Sequence, residues 1–421
     1  MNSSPHGPHG GAAAATPGPG YRATVWALAL GQLLSWAVLY YAFSSLVLPM
    51  DRALGWGQPA LMGAFTLGLA VWGAATYAVG AAIDAGRGRA VMTAGSVAAG
   101  LGVMAWSQVT APWMLYPVFA LLGAAMAATL YEPAFAVLTQ RYPTRYRGAI
   151  TTLTLVGGFA STLSFPAIAA LFTAGLDWRQ VLAVLGAMLL AVAPLHAWAL
   201  RGPMRVAGPA HENPESEATL RQALHQASFW LLALCFMLYA LAQAALWAHV
   251  MPAFADKGVS AADGLLVVMA VGPAQVAGRL LYAAFGRGWS LRVLGAWVLA
   301  ALPVAMALFA VGRSLLSLLV FALIFGIANG LVTIVRGGLI PAYFGRSHVG
   351  RIGGLMSGIG LLARAAAPIA ATALLGVLPG YRELMLVLAA SGVVAVVAFW
   401  AARPPGQSSG GVAGPGRGRF R

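Results

Sequence analysis

The chain has 421 residues, 60% of them hydrophobic and only 8% charged, with 52 glycines. A soluble domain is about a quarter charged, so this composition excludes an ordinary water-soluble fold. The formal charge of +15 invites a nucleic-acid reading, which the placement of that charge along the chain removes.

Residues 1–22, rich in Gly, Pro, Ala and His, predict a disordered cytoplasmic tail. They lack the short apolar core and cleavage pattern of a secretory signal. His6 and His9 read as solvated tail residues rather than metal ligands. Beyond them, apolar windows of about 20 residues, the length that crosses ~30 Å of hydrocarbon, recur twelve times. They fall at 23–49, 59–83, 90–108, 113–139, 148–174, 180–200, 228–254, 262–284, 292–312, 314–340, 351–377 and 383–402. The one long polar interruption, 201–226, carries Glu212, Glu215 and Glu217 and lies between the sixth and seventh spans. It reads as a cytoplasmic linker between a six-helix bundle at 23–200 and another at 227–402, with 403–421 a second disordered tail. The only cysteine, Cys235, falls inside a span, so no intrachain disulfide is possible.

With both termini inside, seventeen of the 25 Lys and Arg residues lie in inner segments, five lie in outer loops, and three lie within spans. The positive-inside rule then fixes the orientation. The expectation is a multi-pass protein of the cell (cytoplasmic) membrane, both termini cytoplasmic, monomeric, with the lipid bilayer as its partner and no nucleic acid. The halves echo one another: Phe119-Ala-Leu and Phe321-Ala-Leu are offset by 321 − 119 = 202, as are Pro166 and Pro368. Such parallel six-helix repeats are a transporter arrangement, with the site at the repeat interface.

The three arginines within spans are Arg279, Arg336 and Arg364, and the only acid at comparable depth is Glu132. A charge at the bilayer centre costs from ~3 to over ~10 kcal/mol, so such residues face a bundle interior or a watery cavity. Three cations against one carboxylate make that interior electropositive, which points to a negatively charged cargo. Gln275 lies one helical turn before Arg279 and shares its face. Gly353, Gly354, Ser357, Gly358 and Gly360 around Arg364 permit close helix approach.

The loop after the second span reads Gly80-Ala-Ala-Ile-Asp84-Ala-Gly-Arg87-Gly-Arg89. Its glycines allow a very tight turn, Asp84 can cap or pair at the inner helix ends, and Arg87 and Arg89 stay at the inner surface. This loop resembles the signature of the major facilitator superfamily. It departs from the usual pattern where Ala85 replaces a basic residue, and the matching Gly286-Arg287-Gly288-Trp289 has no Asp. The resemblance covers roughly 23–402. It implies an all-α integral membrane protein with twelve transmembrane helices in two pseudo-symmetric bundles, working by alternating access.

In that superfamily the eighth and eleventh helices line the central cavity. A basic residue in each resembles the oxalate/formate antiporters and monocarboxylate porters, as does Trp247-Ala-His249-Val-Met-Pro252 followed by Asp256-Lys-Gly258. The resemblance makes Arg279 and Arg364 a carboxylate clamp, a task suited to the planar, always-charged guanidinium fork. Bonding to backbone carbonyls, or snorkelling, is the bland alternative for both.

Glu132 and Arg336 occupy pseudo-equivalent spans at nearly equivalent positions, since 132 + 202 = 334. They read either as a latch closing the cytoplasmic side or, for Glu132, as a proton carrier. Arg336, Thr333 and Asn329 share one stripe of the tenth span. Asp84, Arg87 and Arg89 join this gating or coupling group. The first span carries Gln32, Trp36, Tyr40 and Ser44 at four-residue spacing beside Tyr41, and the seventh carries Tyr239, Gln243 and Trp247. These stripes form either a cavity wall, with hydroxyls and amides orienting a ligand between aromatic faces, or simple helix packing. Trp36, Tyr40 and Gln243 are the chosen substrate candidates.

The expected partners are therefore a small anionic substrate and protons or a counter-anion, with no cofactor and no metal. A copper importer would use Cys235, Met237, His249, Met251 and Met269, but each close pair is two residues apart and splits across helix faces. An efflux carrier for drugs or amphipathic compounds calls for intramembrane carboxylates, and only Glu132 fits. Gly157-Gly158 and Pro166 are too far apart for an antiporter glycine-proline motif. No nucleotide loop or nucleophile constellation suggests an enzyme.

Overall fold

The computed structural model describes residues 19–202, 217–286 and 288–403. Twelve long helices account for most of them: α1 (Tyr21–Leu54), α2 (Gln58–Ala82), α3 (Gly88–Ser107), α4 (Pro112–Arg141), α5 (Tyr146–Thr173), α6 (Trp178–Ala199), α7 (Ala227–Asp256), α8 (Ala261–Leu281), α9 (Leu291–Val311), α10 (Leu315–Phe344), α11 (Val349–Leu375) and α12 (Tyr381–Ala401). By length and apolarity they form eleven continuous stretches, one of which runs from Ala60 to Ser107. A straight helix of that length would reach ~70 Å, more than twice the hydrocarbon thickness. Gly86, at φ 82 and ψ 6, breaks it into α2 and α3, a left-handed conformation that glycine adopts without steric cost. Counting that stretch twice gives the twelve spans expected.

Helix formation already begins at Tyr21, so the expected tail at 1–22 is shorter than drawn; its residues 1–18 lie outside the described residues, as do 203–216 of the linker and 404–421. The end of the linker is helical, Leu220–His225, opened by a capping box between Thr219 and Gln222. Both ends of the helical region, Asp84, the described ends of the linker and the α10–α11 turn share one face of the molecule, here termed basal; the opposite face is distal.

Several basic residues act as helix caps as well as charges. The last carbonyls of a helix lack partners and carry partial negative charge. Arg141 donates to Ala199 O and Arg201 O at the end of α6 (3.3 and 2.6 Å), and Arg292 donates to Trp400 O and Ala402 O at the end of α12 (2.8 and 2.9 Å). Arg179 serves Ser107 O and Val109 O after α3, and Lys257 serves Ala310 O and Gly312 O after α9. The repeat is visible here too. Tyr343, offset from Arg141 by 343 − 141 = 202, donates to Ala402 O at 3.0 Å.

Two spans are broken where one continuous helix is expected. In α4, Leu130 is extended (φ −78, ψ −155). Pro133 has no N–H to offer the carbonyl of residue 129, and its ring would clash there. The freed carbonyls are not left bare: buried Gln32 of α1 donates to Thr129 O at 2.6 Å and Leu130 O at 3.1 Å. In α5 the helix interrupts at Gly158–Phe159. A third irregularity, a π-turn at Ala37–Tyr41 of α1, has its Ala37 carbonyl bonded by Ser164 of α5 at 2.7 Å.

The halves meet basally. One apolar core runs from Leu28, Phe135 and Leu153 of the first half into Phe229, Phe325 and Ile352 of the second, while the distal part of the first half packs as a separate core around Phe43, Trp106 and Phe119. Helices α2 and α11 approach closely enough that Gly80 and Gly350 meet backbone to backbone. Thr76 donates to Gly354 O at 2.8 Å across the same contact.

Candidate functional site

Within its apolar spans the second half presents a connected polar ladder. Arg364 of α11 donates from Nη2 to Oε1 of Gln243 on α7 at 2.8 Å. Gln243 in turn donates from Nε2 to Oδ1 of Asn329 on α10. The next residue of α10, Gly330, accepts a 3.0 Å bond from Nε of Arg279 on α8. Four helices are thus tied together, with an arginine at each end. Arg279 is buried at 6% exposure, and Arg364 is half-buried. Both arginines bond to neutral groups. The one ion pair among the described residues lies elsewhere, between Arg336 and Glu132.

The first half faces this ladder with aromatic rings. Trp36 packs against Tyr40, Trp72 and Tyr131 with centroids 5.4, 5.8 and 5.0 Å apart, and Tyr41 lies 5.2 Å from Tyr40. The π-turn brings Tyr40 and Tyr41 into the same cluster. The double glycine of α5 makes room between the halves: the Arg279 guanidinium lies directly against Gly158, and a β-carbon at Gly157 would stand 2.7 Å from the Tyr131 hydroxyl. The result is a cationic wall opposite an aromatic one. Chemically, that pairing suits an anionic group joined to a carbon skeleton.

The gating candidates lie basal to this layer. Glu132 and Arg336 meet at 2.6 Å, their side chains 12% and 25% exposed. Beside them is a cavity of about 30 Å³ lined by Thr76, Gly80, Phe135, Ile340 and Ser357, too small for an organic solute. Asp84 reaches across to the other half and caps the start of α11. Its Oδ1 accepts from Gly350 N at 2.9 Å and from Gln140 Nε2 at 2.8 Å, and its Oδ2 accepts from Arg351 N at 2.8 Å. A carboxylate at a helix N-terminus satisfies orphan N–H groups and the positive end of the dipole together.

The structure therefore brings Arg279, Arg364 and Gln243 together, and separately Trp36 with Tyr40. Gln275 is half-buried one turn from Arg279, with its backbone pressed on Gly330. Arg87 and Arg89 are exposed at the basal face. His249 sits distally, 3.4 Å from Pro368 O, away from the ladder. Cys235 is fully buried while Met251 and Met269 are 41% and 64% exposed, so the soft ligands considered for copper do not converge. Sequence reasoning left Tyr131 and Trp72 out, saw Asn329 only as part of a stripe, and set Gly157-Gly158 aside. The double glycine was visible in the sequence, but the arginine that fills its space is more than 100 residues away and meets it only in the fold.

These features define a multi-pass membrane transporter rather than an enzyme, and residues 28–287 match the family model described as Major Facilitator Superfamily. The chain belongs to that superfamily. It is 28% identical over 352 residues to human monocarboxylate transporter 11, covering 77% of this chain and 72% of that protein. Its fold resembles the crystal structure of the human organic anion transporter MFSD10 (TETRAN), with a TM-score of 0.69 at 16% identity, covering 90% of this chain and all of that one. It also resembles the Escherichia coli fucose:proton symporter FucP, with a TM-score of 0.70 at 12% identity, covering 90% and 98% of the two chains.

Proposed function

We propose that this protein is a secondary active transporter of a small organic anion, recognised through a carboxylate, in the cytoplasmic membrane. The observation that carries the reading is the pair of arginines within apolar spans, Arg279 and Arg364, each bonded only to neutral groups. A guanidinium in that position keeps its charge and retains N–H donors for a carboxylate fork. The aromatic wall holds the remainder of the solute, with Tyr40 and Trp36 as its contacts and Gln275 as a further polar group beside Arg279. Similarity to a monocarboxylate transporter and to the fold of an organic anion transporter agrees with this chemistry.

Transport proceeds by alternating access of the two halves, residues 23–200 and 227–402, around this layer. With the basal face cytoplasmic, Glu132–Arg336 and the Asp84 cap on α11 are latches that hold the cytoplasmic side shut, and the conformation described is closed on that side. Arg87 and Arg89 stand at the same surface, where they face anionic headgroups when the latch opens. The pairing of Glu132 with Arg336 supports the latch over the proton-carrier role, and so favours exchange against a counter-anion or uptake with a substrate-borne proton. The test is uptake of radiolabelled carboxylates into proteoliposomes. Wild-type protein accumulates at least one of them and Arg364→Ala does not; equal uptake by the variant would remove Arg364 from the site.

A further inference from the structure

We propose that Asn329 is a positioning residue for the arginine pair: acting through Gln243, it sets the direction in which Arg364 presents its guanidinium. The inference rests on the carboxylate reading above and adds a residue to it. The argument begins with hydrogen-bond polarity. A guanidinium is donor-only, so whatever group of Gln243 faces Arg364 must be its carbonyl oxygen, as the 2.8 Å Nη2–Oε1 contact has it. That choice fixes the other end of the amide. The Gln243 Nε2 must then point at Asn329, and Asn329 must answer with Oδ1 rather than its own amide nitrogen. One donor-only side chain therefore orients two amides in series.

The converse is what gives Asn329 its role. Gln243 is 7% exposed, so little water reaches it to replace a lost partner, and an unpaired buried donor is costly. If Asn329 did not hold Nε2, the Gln243 amide could turn. A turned amide would set N–H against N–H at Arg364 and release the guanidinium from its present plane. Bidentate recognition of a carboxylate depends on that plane, so a loss at Asn329 is felt two residues away. Asn329 is also covalently next to Gly330, whose carbonyl holds Arg279 at 3.0 Å. Adjacent residues of a single helix thus anchor both cations, one by side chain and one by backbone. The same face of α10 carries Arg336 two turns nearer the base, in its pair with Glu132. The helix that holds the arginines is the helix that holds the latch.

A simpler role for Asn329 would be to keep the α10 face polar, and the test separates the two. Equilibrium binding of acetate, succinate and benzoate is measured on the purified full-length protein, its Asn329→Leu, Asn329→Ser and Gln243→Leu variants, and the double variant N329L/Q243L. Serine keeps a polar face but sets its oxygen one bond nearer the backbone than Asn329 Oδ1 and offers no amide carbonyl to Gln243. Expected is a loss of about tenfold in carboxylate affinity for both Asn329 variants, the worth of one oriented hydrogen bond. The double variant binds no more weakly than Gln243→Leu alone, because Asn329 acts only through Gln243. If Asn329→Leu does not fold, Asn329→Ser carries the same comparison. Wild-type affinity in Asn329→Ser, or single effects that multiply in the double variant, would overturn the assignment while leaving the carboxylate reading intact. Absence of binding by wild type to all three probes would overturn the carboxylate reading, and this inference with it.

Discussion

Replacing Glu132 by Gln removes the charge of the basal latch while keeping its shape, and so isolates the ionic contribution. The pair spans 2.6 Å, with side chains 12% and 25% exposed. Exposed pairs contribute ~0–1 kcal/mol, whereas breaking a fully buried pair costs ~3–5 kcal/mol because a charge is left without a partner. Arg336 keeps some solvent contact, and the carboxamide oxygen can still accept its N–H. The loss therefore lies between the two limits, about 2 kcal/mol, or a ~30-fold shift in population. In the proposed cycle the latch stabilises only the basally closed state, so the shift favours the alternative in which the distal ends come together. Spin labels at Arg52→Cys in the last turn of α1 and Val377→Cys beyond α11 report that distance by double electron–electron resonance. The native Cys235 is buried and gives little background. Glu132→Gln should enrich the shorter distal distance by about that factor. A distance distribution identical to wild type would mean that Glu132–Arg336 does not bias the transport cycle.

Two further perturbations test parts of the site and its support. Gly158→Ala places a β-carbon where the Arg279 guanidinium now lies, whereas at Gly148 on the same helix the nearest neighbour is a Tyr21 hydroxyl at 3.6 Å. Carboxylate affinity should fall at least about tenfold for Gly158→Ala and stay unchanged for Gly148→Ala; equal behaviour of the two would place Arg279 outside the site. Glu217 grips the α10–α11 turn, its Oε2 accepting from Ser347 N at 2.7 Å and Arg346 N at 3.0 Å. Burial works against its charge, but the Ser347 and Arg346 hydrogen bonds and the Arg346 charge outweigh it and hold its pKa below the ordinary carboxylate value. A depressed pKa gives stability that is present above the ordinary carboxylate range and lost as pH falls through the folded value. Glu217→Gln should therefore melt below wild type at neutral pH and converge with it in acid. A gap that stays constant from neutral pH down to the acid limit would contradict this account of Glu217.

The helices were legible in the sequence because apolar runs of membrane length are a direct consequence of the solvent they cross. The Glu132–Arg336 pair was legible for a similar reason: a lone intramembrane acid seeks a cation, and the 202-residue repeat placed the two at one level. Asp84 was recognisable as a capping residue, but not its partner, since the start of α11 is more than 260 residues away in sequence and is brought near only by basal closure. Pro133 accounts for the break at Leu130 only once the backbone is seen, and Gln32 as the donor that covers the freed carbonyls was hidden as well, because a stripe of polar residues on α1 does not reveal which neighbour it meets. Asn329 and Tyr131 were hidden for the same reason. A half-buried amide or a buried phenol on an apolar helix gains its role from what faces it, and Gly157-Gly158 gains its role from the arginine that fills the space left by two missing side chains.

The account turns on recognition of negative charge at Arg279 and Arg364, and thermal stabilisation of the purified protein tests it most directly. Each carboxylate of a panel is compared with its neutral primary amide, on wild type and on Arg364→Ala. A ligand that binds only the folded state at a hundred times its Kd adds ~2.7 kcal/mol of stability. The account predicts that at least one carboxylate raises the melting temperature of wild type, that its amide does not, and that Arg364→Ala loses the response. Equal stabilisation by acid and amide, or an undiminished response in Arg364→Ala, would contradict it.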